Sequence, residues 1–209
     1  MDRLKTEQGE DVSRITALSD GLFAIVLTLV ILQFEVPNIP SSQATTELPA
    51  WLSGLYVLFF NYILSFVVVE LYWVVHHTLF QHIVKHDRVR LYLNLLFLLS
   101  VSFLPFPTEL LGTYGTRLTW ALYALNLTIV GLLMTSVWWY AATQDLITEE
   151  MHNRIAKLIT LRGLIAPVVF LLSIAVSSVS LTLAYFTPLL IVPLQIMWVW
   201  IHQLSSRPF

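Results

Sequence analysis

The chain contains no cysteine, so neither a disulfide nor a thiolate metal site can contribute to its structure, although this absence does not identify a compartment. Charge is scarce too. Only 11% of the 209 residues are Asp, Glu, Lys or Arg, while 57% are hydrophobic and the mean hydropathy is +0.76, far too apolar for an ordinary soluble domain. Long polar stretches are also missing, which leaves no room for a soluble domain with its own core. The polar loops are short and mixed in sign, and this excludes a nucleic-acid surface. The net charge of -2 carries no further information.

What remains is a series of apolar runs of about 20 residues or more, the length a helix needs to cross a hydrocarbon core of about 30 Å. Outer-membrane barrels are excluded, because their strands are shorter and alternate. Six spans are predicted, at about 13–36, 51–80, 90–112, 118–143, 159–182 and 186–204. They make one all-α, polytopic unit over residues 1–209, embedded in the lipid bilayer. The first run is longer than a signal-peptide core and has no clear small-residue cleavage site after it, so it reads as a retained helix. If the N-terminus is cytoplasmic, ten of the eleven basic residues fall on the inside and only Arg117 outside, so both termini are expected in the cytoplasm.

The loop NIPSSQATTELP reads as a simple connector, and the segment TQDLITEEMHNR as a helix at the membrane surface. Prolines punctuate the later spans at Pro105, Pro107, Pro167, Pro188 and Pro193, where they kink or open a helix. No internal repeat of the kind that lets one chain enclose a transport path is present. A symmetric oligomer is the other common way to make one.

Several motifs are missing as well. There is no HExxH, and GTYGT at 112–116 has neither the order of the TVGYG potassium filter nor a loop long enough to re-enter the membrane. His82 and Asp87 match the HxxxxD spacing of acyltransferases, in which a general-base His is oriented by an Asp. With six histidines and five aspartates, one such spacing is unsurprising, and no glycine-rich phosphate-binding segment follows it. No resident metal or cofactor is expected.

The first span, RITALSDGLFAIVLTLVILQFEVP, places Asp20 inside lipid, where an ionisable group is costly and generally faces a partner. By depth, Ser19, Asp20, His77 and Asn94 can meet in one hydrogen-bonded cluster, with His76 near the same level. Asp20 points away from a second stripe, Ile25, Leu29 and Leu32, spaced i, i+4, i+7 with Thr28 at its edge. That stripe faces lipid, core or a pore. Glu70, deeper in span two, is expected to be protonated or hydrogen-bonded in the core, with ion coordination or proton coupling in a transporter as its alternative. Asn126, Ser102, Ser173, Ser177 and Ser178 read as interhelical hydrogen-bonding or close-packing residues.

The opening stretch resembles the signature of the transmembrane protein 175 family, potassium channels of lysosomes and bacteria. There the first helix begins with Arg, three residues and Phe-Ser-Asp, and its apolar run ends near Val-Pro. Here Arg14, Ser19, Asp20, FAIVLTLVIL and Val36-Pro37 match, with Leu18 at the Phe position. The likeness continues through WVVHHTLF, Asn94 and LPFPTELLG and covers the first half of the chain. It implies a homotetramer whose four first helices line a central potassium pore. The neck would be Ile25, Leu29 and Leu32, with Thr28 as a polar ring, and Arg14, Ser19, Asp20, His77 and Asn94 would anchor the helix. The single-unit form implies a bacterial inner (plasma) membrane location.

Overall fold

The computed structural model describes residues 2–85, 87–148 and 153–205. The elements are α1 Asp2–Leu29, continued by a 3-10 turn at Val30–Gln33, then α2 Ala44–Gly54, α3 Tyr56–Gln81, α4 Arg88–Phe103, α5 Pro105–Tyr114, α6 Arg117–Thr143, α7 Asn153–Gly163, α8 Ile165–Ser177, α9 Leu181–Phe186, a 3-10 turn at Thr187–Leu190, and α10 Ile191–Ser205. Together they supply six helices long and apolar enough to span: Ser13–Gln33, Tyr56–Gln81, Arg88–Tyr114, Arg117–Thr143, Arg154–Ser177 and Leu181–His202. The expected six-span, all-helical fold is therefore present.

Span four, α6, is the core. Trp120, Tyr123, Ala124, Leu127, Val130, Met134, Val137, Trp138 and Ala141 are all buried along it. Its start is fixed by a capping box, in which Thr116 and Thr119 satisfy each other's backbone N–H. Just before it, Gly115 takes a left-handed φ of 54° and ends α5, a conformation that costs glycine nothing. Gly131 lets span five approach closely, since a Cβ there would lie 2.7 Å from Pro167 Cγ and 2.9 Å from the Tyr72 hydroxyl. Gly131→Ala is expected to destabilise the fold by about 1–3 kcal/mol through overpacking, read as a lower melting temperature in detergent.

The prolines interrupt their spans as expected. Span three breaks at Leu104, where the amide bonds the Val101 carbonyl at 3.1 Å in a 3-10 turn just ahead of Pro105. Span five breaks at Leu164, because Pro167 has no N–H to offer the Gly163 carbonyl. In span six, Pro188 sits within the 3-10 turn.

Several boundaries differ from the sequence reading. The connector NIPSSQATTELP is half helical, since α2 begins at Ala44 and a turn at Leu55 separates it from span two. Span one tightens into 3-10 geometry at Val30, where Gln33 Nε2 donates to the Val30 carbonyl at 2.7 Å, and Pro37 keeps the following chain extended. The helix expected over TQDLITEEMHNR is not formed by Gln144–Thr148, and residues 149–152 lie outside the described residues. Instead Ile147 bridges Ile83, the amides of Val84 and Lys85 reach the Leu146 carbonyl at 3.0 and 3.2 Å, and Thr148 N donates to the His82 carbonyl at 2.9 Å. Backbone pairing with the neighbouring loop satisfies these groups better than a free surface helix does.

Candidate pore helix and its anchors

Helix α1 packs between α3 and α4 on a face made of Ile15, Ser19, Phe23, Val26 and Val30, all buried. The spacing is that of one helical stripe. Its opposite face is open: Ala17, Gly21, Ala24 and Thr28 are exposed, with Ile25 at 59%, Leu29 at 40% and Leu32 at 68%. Thr28 donates its hydroxyl to the Ile25 carbonyl at 2.7 Å. Ala17, Leu18, Gly21, Leu22, Ile25 and Leu29 line a shallow groove of about 410 Å³ whose far wall includes Ser102 of α4.

The buried face carries the anchor. Ser19 donates to the Ile15 carbonyl at 2.9 Å and accepts from Asn94 Nδ2 at 3.2 Å. Asn94 Oδ1 then accepts from His76 Nε2 at 3.1 Å, so one amide ties spans one, two and three together. Ser19, His76 and Asn94 are fully buried, where each missing bond would leave an uncompensated polar group. The His76 ring is stacked on Phe80 at 3.9 Å between centroids and lies nearly parallel to Phe97 at 5.5 Å.

The histidine expected in this cluster was His77, and the structure corrects it to His76. His77 lies exposed on the other side of α3, pairing with Gln81 at 3.0 Å and stacking on Trp73. One residue is 100° of rotation on a helix, and depth alone does not resolve that. Asp20 does not join the cluster either. Its Oδ1 accepts from Trp73 Nε1 at 2.9 Å, a second bolt between spans one and two, and a partner that sequence reading missed. Arg14 is exposed, near the middle of α1 and at the start of the first span.

A further residue escaped the sequence reading. Arg90 is fully buried one turn before Asn94, with its Cζ 5.2 Å above the Phe80 ring. Among the described residues no hydrogen bond holds its guanidinium, and the ring face together with the nearby Asp87 carboxylate supplies the compensation. The cost of desolvating a buried charge offsets what these contacts return, so an apolar residue of similar size does as well. Arg90→Met is accordingly expected to leave the melting temperature unchanged or raise it by a few degrees.

Asp87 caps α4 by accepting from Arg90 N at 2.8 Å, and its other oxygen accepts from the Tyr140 hydroxyl at 2.5 Å. Both oxygens are thus engaged by the fold rather than by His82. Glu70 is exposed, not in the core as expected. Of the small polar residues, Asn126 bonds across helices, donating to the Ser100 carbonyl at 3.1 Å. Ser102, Ser173, Ser177 and Ser178 instead donate to carbonyls of their own helices.

These features define a six-span helical membrane protein whose first helix is bolted at Ser19 and Asp20 by polar groups and turns a small and apolar face outward. A family profile described as "Endosomal/lysosomal potassium channel TMEM175" matches residues 14–105, the segment containing both bolts. A potassium channel of Chamaesiphon minutus is 32% identical over 183 residues, covering 85% of this chain and 89% of that one. A potassium channel of Streptomyces collinus is 31% identical over 179 residues, covering 82% and 85%. The crystal structure of a lysosomal potassium-selective channel TMEM175 homolog from Chamaesiphon minutus superposes with a TM-score of 0.75 at 27% identity, covering 95% of this chain and 100% of that one. The chain belongs to the TMEM175 family.

Proposed function

We propose that this chain is a potassium channel, and that residues 1–209 form one channel unit that assembles as a homotetramer with four copies of α1 around a central pore. The observation that carries the reading is the arrangement of α1, with its polar groups on the seated face and Ile25, Leu29 and Leu32 left uncovered by the protomer. In a ring these side chains make a narrow apolar neck that resists wetting, with Thr28 as the polar position beside it. Potassium is the permeant species and no cofactor takes part. The relatives named as potassium channels from bacteria support placement in a bacterial plasma membrane, with both termini cytoplasmic as the basic residues suggest.

The test is potassium efflux from liposomes holding the purified protein, with sodium and protein-free controls. Flux above both controls that favours potassium supports the channel, and well-folded protein that passes neither ion defeats it. Within this reading Asp20, Ser19 and Asn94 hold the pore helix in register, with Arg14 fixing its end. Asp20→Ala removes the acceptor of the Trp73 indole and is expected to lose the tetramer, read by mass in detergent. An intact tetramer from that variant would strip Asp20 of its anchoring role.

A further inference from the structure

Glu70 is a carboxylate exposed in the span Tyr56–Gln81, and no hydrogen bond or ion pair holds it among the described residues. Ionisable groups at such depth face a protein interior or water and take a partner, not lipid. Something outside the protomer therefore covers it. Its depth follows from the anchor: His76 and Asn94 are bonded to each other, so they share a level. Glu70 lies six residues from His76, about 9 Å toward the far side of the bundle, and Ser102 lies eight residues from Asn94, about 12 Å in the same direction. The two are level to within about one helical turn.

They also flank α1 on opposite sides. Trp73, on the Glu70 edge of α3, meets Asp20 on one flank of α1, while the groove walled by Ser102 follows the other flank past Leu18, Leu22 and Leu29. Any closed ring built around α1 is heterologous, so one flank of each copy meets the opposite flank of the next. We infer that Glu70 of one copy docks in the α1–α4 groove of the next and takes the Ser102 hydroxyl as its hydrogen-bond donor. This rests on the ring proposed above and names the faces that close it. In the single protomer Ser102 donates to its own helix, at 2.8 Å to the Leu99 carbonyl, and a hydroxyl re-aims by rotation about one bond. The groove floor, containing Ala17 and Gly21, has space for the incoming helix, since a Cβ at Gly21 would meet nothing within 4 Å.

The absence of cysteine makes the test direct. Glu70→Cys and Ser102→Cys proteins, mixed by co-expression and oxidised in membranes, should give a crosslinked dimer that neither variant gives alone. The double variant should give a ladder ending at four copies. A Ser102→Cys and Val192→Cys pair, exposed on α4 and α10, should give none. Crosslinking of Glu70→Cys with itself, or no crosslink in a protein that is tetrameric by mass and conducts potassium, overturns the inference and leaves the channel standing. A protein that is monomeric in membranes overturns both.

Discussion

Leu29→Ala should raise potassium flux at least tenfold in the liposome assay and lower the preference for potassium over sodium. The reasoning begins with the neck. In the proposed tetramer each copy contributes Ile25, Leu29 and Leu32, so one substitution trims four isobutyl side chains to methyls in a single ring. Alanine keeps the helix, being its best former, and Leu29, 40% exposed, is not part of the buried face that seats α1. The change therefore acts on the exposed side of α1, at the neck and at the edge of the groove that the next copy is inferred to fill, and tetramer mass in detergent separates the two. A dry constriction opposes ions mainly through their lost hydration, and lowering that barrier by about 1.4 kcal/mol multiplies the rate tenfold. Selectivity falls with it, since a wider and wetter neck makes fewer demands on the hydration shell. Flux and selectivity unchanged from the parent would remove Leu29 from the pore.

Asn94→Leu should unseat α1. The substitution is close in volume and keeps the helix, yet deletes the side chain that hydrogen-bonds both Ser19 and His76. Ser19 retains its bond to the Ile15 carbonyl, so the main loss falls on His76 Nε2, buried with no other hydrogen-bond partner among the described residues. A buried donor left alone costs about 1–3 kcal/mol. The expected readouts are a melting temperature lower by several degrees and a loss of tetramer. Asn94→Gln, which keeps the amide chemistry at a different reach, should recover only part of each. A fully stable tetramer from Asn94→Leu would show that apolar packing alone seats α1.

Much of this was legible in the sequence. Six spans followed from hydropathy, and the two faces of α1 from helical spacing, because the hydrophobic effect and the period of 3.6 act on every residue of a long helix alike. The prolines likewise broke their spans where their missing N–H dictates. Choices between adjacent residues were not legible. His76 and His77 share a depth and differ only in azimuth, which is set by the packing of α3 against spans three and four. A better signal was available: Asn61, Ser65, Val69, His76 and Phe80 share the buried face, and that run points to His76. Arg90 escaped for another reason. It was counted as one more basic residue of a polar loop, whereas its position one turn before Asn94 puts it on the buried face of α4. The pairing of the Ile83 and Ile147 loops rests on backbone groups, to which side-chain patterns are nearly blind.

The bolts of α1 and the far end of its proposed neck lie about three helical turns apart, and that separation makes the helix a lever. From Asp20 to Leu32 is twelve residues, roughly 18 Å at the helical rise. Beyond the bolts the shaft is held by Phe23, Val26 and Val30, apolar contacts that resist separation far more than sliding. A tilt of about 5° about the Asn94 pivot therefore carries each Leu32 sideways by about 1.6 Å, slightly more than the radius of a water molecule as a 1.4 Å probe measures it. Repeated by all four copies of the proposed tetramer, so slight a lean would widen the neck by about the size of a water molecule.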